Sequence, residues 1–179
     1  VTQKADLLIA AIPALRGFGY SLVHDMDRAD DLVQETLVKA WKNWSHFTEG
    51  TNVTAWLFTI LRNQFYSDLR KTKREVSDDD GKYASSLASM PSQEATVDLK
   101  RLDIALGKLP PDQREALTLV IVQGMTYDEA GEVTGSPSGT MKSRVSRARD
   151  RLAKLLGTEE FGSDAEHLAA YGQATRLIA

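Results

Sequence analysis

Apolar residues recur at spacings of three and four through most of this 179-residue chain, and no segment alternates with period two. Residues three or four apart share one face of a helix, whereas strands bury alternate positions. The pattern therefore predicts an all-α protein, with helices over residues 3–24, 27–46 and 54–73, then 96–109, 112–123, 127–133 and 137–156. Between the two groups lies EVSDDDGKYASSLASMPSQEA, residues 75–95, rich in Ser, Asp and Ala and interrupted by a Gly and a Pro. Such a composition has little to bury and reads as a flexible acidic linker. Two small helical domains are expected, 1–74 and 96–156, followed by a tail over 157–179 in which no chemistry is legible.

Several function classes fall away early. With no cysteine there are no disulfides or thiolate metal sites. His24, His46 and His167 lie far apart, without the spacing of metal ligands, so no metal or other cofactor is expected. Asp78, Asp79 and Asp80 are consecutive in the linker and cannot form a fixed acid–base pair; no nucleophile or phosphate loop accompanies them. An enzyme is not expected. No apolar run approaches the ~20 residues of a membrane helix, and VTQKADLL lacks the apolar core of a signal peptide. These features suit a cytoplasmic protein.

The net charge is −3, yet PSGTMKSRVSRARDRLAKLL carries Lys142, Arg144, Arg147, Arg149, Arg151 and Lys154 against the single acid Asp150. The preceding segment completes a helix-turn-helix outline. Thr126 can cap a short helix, Ala130 and Gly131 allow close crossing, and TGSPSG makes the turn. Ser136 or Ser138 could cap the second helix, with Pro137 tolerated in its first turn. At 100° per residue, Met141, Val145, Ala148 and Leu152 form one apolar arc. Lys142, Ser143, Ser146 and Arg147 lie opposite, flanked by Arg144, Arg149 and Arg151. A solvated basic face would look similar, but the tight turn and the acidity elsewhere favour DNA. Long cations would take phosphates while short polar residues approach base edges. With few cations elsewhere, the chain alone should bind duplex DNA weakly.

In ADDLVQETLVKAWKNWSHF the core-facing arc is Leu32, Val33, Thr36, Leu37, Ala40 and Trp44. Gln34, Val38 and Trp41 fall outside it among Asp31, Glu35 and Lys42. Apolar residues among charges suggest a partner surface, or packing beneath a neighbouring helix. The next helix has an apolar arc of Leu57, Phe58, Leu61, Phe65 and Leu69. Its other side carries Trp56, Ile60, Asn63, Tyr66, Ser67 and Arg70, and it ends in Arg70, Lys71, Lys73 and Arg74. That side is either buried or suited to single-stranded DNA, with bases stacked and cations on the backbone. Spacing leaves the two readings open.

Taken in order over residues 5–156, these motifs resemble a bacterial sigma factor of the extracytoplasmic-function (ECF) group. DDLVQETLVKAW resembles its polymerase-binding region 2.2 and TNVTAWLFTILRNQFYSDLRK its regions 2.3 and 2.4. LPPDQREALTLVIVQGMTYDEAGEVTG followed by SPSGTMKSRVSRAR resembles region 4. AWLFTILRNQFYSDLR and LPPDQREAL are similar to the general-stress-response group of alphaproteobacteria. The resemblance implies core RNA polymerase as a partner, met at its β′ clamp by Asp31, Gln34, Glu35, Val38 and Trp41, and at its β flap. It implies a −10 surface of Phe47, Gly50, Thr51, Asn52, Asn63, Arg70 and Lys71, with a base flipped into a pocket. It implies that Lys142, Ser143, Ser146 and Arg147, with Arg144 beside them, read the −35 element. An anti-sigma factor, a small helical protein, would regulate a chain that is otherwise monomeric. Gly131 stands where the family usually has alanine, which suggests a looser first motif helix. The rival readings are a free-standing helix-turn-helix repressor or activator, and a sigma-mimicking interaction protein.

Overall fold

The computed structural model describes residues 2–76 and 97–157. The expected linker lies almost wholly outside them, as does the tail beyond Gly157. Seven helices form among the described residues, and no strand. They are α1 (Thr2–Val23), α2 (Met26–Lys42), α3 (Val53–Val76), α4 (Val97–Gly107), α5 (Pro111–Leu117), α6 (Tyr127–Thr134) and α7 (Ser138–Leu156), with a single 3-10 turn at Trp44–His46. The expected helix over 27–46 thus ends early, because the Asn43 side chain and backbone N–H both bond the Lys39 carbonyl. The expected helix over 112–123 changes character at Thr118, where five residues, Thr118–Val122, form a π turn. The Gln123 N–H reaches back to the Thr118 carbonyl at 2.9 Å, and Gly124 (φ 72°) lets the chain turn away.

The first unit packs α1, α2 and α3 against one another. Leu8, Leu15 and Phe18 of α1 meet Leu32 and Val33 of α2 and Leu57, Phe58 and Leu61 of α3 in one buried cluster. The Phe18 and Phe58 rings lie 4.8 Å apart, centroid to centroid. Burying each such side chain contributes about 1.5–3 kcal/mol, which places most of the stabilisation on this shared seam. The apolar arc of α3 does not stay buried to its end: Leu69 is exposed, because the bundle stops short of the last turns. By length and composition α1 could cross a membrane, contrary to the expectation from sequence. Half of its Gln3–Val23 window is buried inside the bundle, the arrangement of a core helix.

The second unit is built around α7, which contacts α4, α5 and α6. The two units also touch, α3 against α6 and α1 against α5 and the π turn. At that boundary His24 closes α1 in the left-handed conformation (φ 51°) that glycine usually takes. Its ring is buried 5.4 Å from that of Tyr20. The Tyr20 hydroxyl lies 3.2 Å from each carboxylate oxygen of Asp103 on α4.

Burial, and secondarily the Arg114 guanidinium, push the His24 imidazole down to about 4. Asp103, at 4.0 Å, is too distant to hydrogen-bond it and does not hold it charged. The unfolded chain takes up this proton near pH 6.5, and the folded chain refuses it until about pH 4. The stability from neutral His24 is therefore whole above the upper value and is lost as pH falls through the window. Urea midpoints are expected to drop between those two pH values, and His24→Gln to flatten the drop. An equal slope in the variant would place the acid sensitivity elsewhere.

Candidate nucleic-acid and polymerase surfaces

The outer face of α2 emerges from the spacing of its core. With Ala29, Leu32, Val33, Thr36 and Ala40 buried, a 100° rotation per residue turns Asp31, Gln34, Glu35, Val38 and Trp41 outward, and all five are exposed. Val38 is 52% and Trp41 46% exposed, high for such side chains. Trp41 does not pack beneath a neighbouring helix. Lys4 of α1 places its ammonium 3.8 Å from the ring centroid and donates to the Trp41 carbonyl at 2.7 Å. An apolar groove runs between α1 and α2, lined by Ile9, Ile12, Leu37, Val38 and Trp41. Ile9, 62% exposed, extends the patch and was not anticipated. It was within reach of the sequence, since the arc of Leu8, Ala11, Leu15 and Phe18 leaves position 9 on the flank.

The loop after α2 is held by three aromatic rings. Trp44, Phe47 and Trp56 lie within 5.0–5.8 Å of one another. Phe47 is half-buried in that trio, whereas Gly50, Thr51 and Asn52 are exposed. Gly50 takes φ 86°, which a side chain would strain. Thr51 is folded back by its hydroxyl onto the Thr48 carbonyl at 2.7 Å. Asn52 accepts from the Ala55 N–H at 3.2 Å, capping α3, and donates to Glu129 of α6 at 3.4 Å. Beside the loop, between α2 and α3, an open polar recess is lined by Lys39, Asn43, His46, Trp56, Asn63 and Arg70. Lys39 at its edge donates to Gln64. A second recess on the same helix is formed by Arg62, Asn63, Tyr66, Leu69, Arg70 and Lys73. Asn63 and Arg70 thus border both. Lys71 is exposed and lies 3.9 Å from Asp68, a surface pair of little energetic weight.

In the second unit Thr126 caps α6 as expected, and Glu129 completes a capping box by accepting from the Thr126 backbone N–H at 2.9 Å. Those donors, the backbone one foremost, lower the Glu129 pKa. The turn that follows departs from expectation in two respects. Neither Ser136 nor Ser138 caps α7. Pro137 is the N-cap, and its carbonyl accepts from the Thr140 and Met141 N–H groups, while the Ser136 hydroxyl accepts from Arg144. Nor is the first motif helix loose at Gly131. A methyl there would meet the Ser136 carbonyl oxygen at 2.5 Å, and the Ser136 N–H bonds the Gly131 carbonyl at 2.9 Å. Gly131→Ala is expected to force the turn apart and lower stability by roughly 1–3 kcal/mol. A thermal melt unchanged from the parent would show that the turn relaxes freely.

Along α7, Met141, Val145, Ala148 and Leu152 are buried, as the wheel predicts. Lys142, Ser146 and Arg147 are exposed, and Ser143 is half-buried, its hydroxyl bonded to the Thr140 carbonyl. Arg144 sits apart from them, its guanidinium 3.3 Å from Asp112 and bonded to Ser136. It braces the turn against α5. The basic face therefore consists of exposed side chains on a rigid helix whose buried seam fixes its orientation.

A helix-turn-helix with such a face, joined to a bundle with an apolar outer patch, defines a DNA-binding protein that also has a macromolecular partner. Comparison with known proteins agrees. Residues 8–75 match Sigma-70 region 2 and residues 99–152 match Sigma-70, region 4. The ECF RNA polymerase sigma factor EcfG of Rhodopseudomonas palustris (strain TIE-1) is 53% identical over 89% of this chain and 90% of its own length. The ECF sigma factor SigM of Bacillus subtilis (strain 168) is 34% identical over 77% of this chain and 85% of its own length. The sigma factor RpoE of Bartonella quintana, solved with the anti-sigma factor NepR, superposes with a TM-score of 0.83 and 48% identity, covering 89% of this chain and all of that one. The chain belongs to the ECF RNA polymerase sigma factors. Its two sigma regions bind core RNA polymerase and promoter DNA.

Proposed function

We propose that this sigma factor serves the general stress response, acting in the cytoplasm as a non-catalytic initiation subunit under the control of a small helical anti-sigma factor. The similarity to EcfG and to an RpoE that was crystallised with NepR supports that assignment. On the α2 face, Asp31, Gln34, Glu35, Val38 and Trp41 meet the β′ clamp. The loop with Phe47, Gly50, Thr51 and Asn52, together with Asn63, Arg70 and Lys71 of α3, takes the −10 element as single strand. Asn63 and Arg70 border a recess between α2 and α3 that suits a flipped base. Lys142, Ser143, Ser146 and Arg147 meet the −35 duplex, with Arg144 as their brace.

The observation that carries the reading is the division of α7 into a buried apolar seam and an exposed face of Lys142, Ser146 and Arg147. Binding and transcription on one promoter fragment with GGAA-like −35 and GTT-like −10 elements test it, with and without core polymerase. Specific binding and transcripts only with core are expected. Tight binding by the chain alone, without transcripts when core is added, would instead make it a free-standing repressor.

A further inference from the structure

At the boundary the first unit offers hydrogen-bond donors, Tyr20, Asn52 and Arg62, to acids of the second, Asp103, Glu129 and Glu115. Arg62 of α3 donates from Nε to Oε1 of Glu115 on α5 at 2.7 Å. Its two partners differ in surroundings: the Glu115 side chain is 1% exposed, whereas that of Arg62 is 22% exposed at the rim. A buried carboxylate needs such a partner, and a guanidinium is the best matched. Yet Arg62 also belongs to another constellation. Its guanidinium stacks 4.7 Å from the Tyr66 ring, and positions 62, 66, 70 and 73 follow one face of α3 around a common recess. That face continues into the cationic end of the helix, Arg70, Lys71, Lys73 and Arg74.

A guanidinium fork that fits a carboxylate fits a phosphate equally well. We propose that Arg62 is a DNA-backbone contact that the closed chain keeps occupied with Glu115, so that separation of the two units and engagement of the −10 strand are linked. The inference rests on the reading of α3 as the −10 face. In the closed form one cation of the DNA surface is spent on an internal acid; strand binding releases it and leaves Glu115 to be solvated as the units part. Because a ligand shifts an equilibrium only by its preference between the two states, DNA and the closed form then compete for the same side chain.

Two measurements on the full chain test this. The chain has no cysteine, so Lys42→Cys and Glu132→Cys, both at exposed positions, place a dye pair on the two units and report closure by energy transfer. Fluorescence anisotropy with a labelled single-stranded oligonucleotide carrying a GTT-like −10 sequence reports binding over a range of salt. Glu115→Gln is expected to reduce closure and to raise DNA affinity by roughly three-fold. Arg62→Ala should reduce closure to a similar degree but weaken binding by about ten-fold. It should also lower the salt slope by about 0.7. Arg62→Lys keeps the charge and should restore that slope, which separates a lost contact from a folding defect. Arg70→Ala serves as the control on the face itself.

If Arg62→Ala strengthens binding as Glu115→Gln does, or leaves affinity and slope unchanged while Arg70→Ala weakens them, the dual role of Arg62 is overturned and the −10 face stands. If neither arginine variant weakens binding, the −10 face is itself misassigned. Unchanged closure in Glu115→Gln would remove the linkage.

Discussion

Trp41→Ala is expected to weaken the complex with core RNA polymerase by roughly 30-fold, in line with the loss of about 2 kcal/mol at an aromatic hot spot. The expectation comes from the setting of the ring. Trp41 is 46% exposed, stands next to Val38, and forms one wall of an apolar groove that α1 completes with Ile9 and Ile12. Little of the fold depends on its outer face, so the variant should melt close to the parent. Lys4, whose ammonium lies over the ring, holds the tryptophan in place from α1, and Lys4→Ala should give a smaller loss in the same assay. Affinity for fluorescently labelled core, with a melting curve for each variant, decides the matter. Parental affinity in Trp41→Ala would mean that the clamp meets another face of α2.

Arg147→Ala is expected to cut transcription from a −35-dependent promoter by about ten- to a hundred-fold, the range for losing one good base-edge contact. Core affinity should stay at the parental level. Arg147 is exposed on the side of α7 opposite Met141, Val145, Ala148 and Leu152, so its removal leaves the seam untouched. Specificity supplies the discriminating readout. On a fragment whose −35 bases have been replaced, parent and variant should converge, because a lost base contact matters only where the base is present. A uniform loss on every fragment would mark Arg147 as a phosphate contact. Arg144 should behave differently from its neighbour. Its ties to Asp112 and Ser136 brace the turn, so Arg144→Ala belongs with variants that lower the stability of the second unit.

Much of the fold is legible in the pattern of apolar residues. In α2 and α7 most residues on the predicted arcs are buried, with Leu37 and Trp44 half-buried, and the residues set against them are exposed apart from the half-buried Ser143. Helix faces can be read in this way because they depend on a rotation of 100° per residue, which neighbours in the chain settle among themselves. Errors gather where that local rule meets other constraints. Leu69 lies on the predicted arc of α3 yet is exposed, since the bundle ends before it does. The helix expected over 112–123 gives way to a π turn at Thr118 because Gly124 and the Leu119 carbonyl, which accepts from the Met125 N–H, redirect the chain. Pro137 takes the cap from the two serines beside it, since the Ser136 hydroxyl serves Arg144 instead.

The candidate surfaces divide in the same way. The exposed set on α2 and the basic face of α7 follow from periodicity and residue type. The recess between α2 and α3 does not, because it brings Lys39, Asn43 and His46 to Asn63 and Arg70 across a loop. Local order along the chain thus determined the helices, their inward faces and the sigma-like sequence of motifs. Only the packed molecule decided that Lys4 lies over Trp41, that Tyr20 meets Asp103 and that Arg62 meets Glu115, partners 37, 83 and 53 positions apart. Burial selects such pairs: a charge or hydroxyl enclosed by two helices needs whichever complementary group the packing brings within 3 Å or so, and chain order carries no record of which group that is.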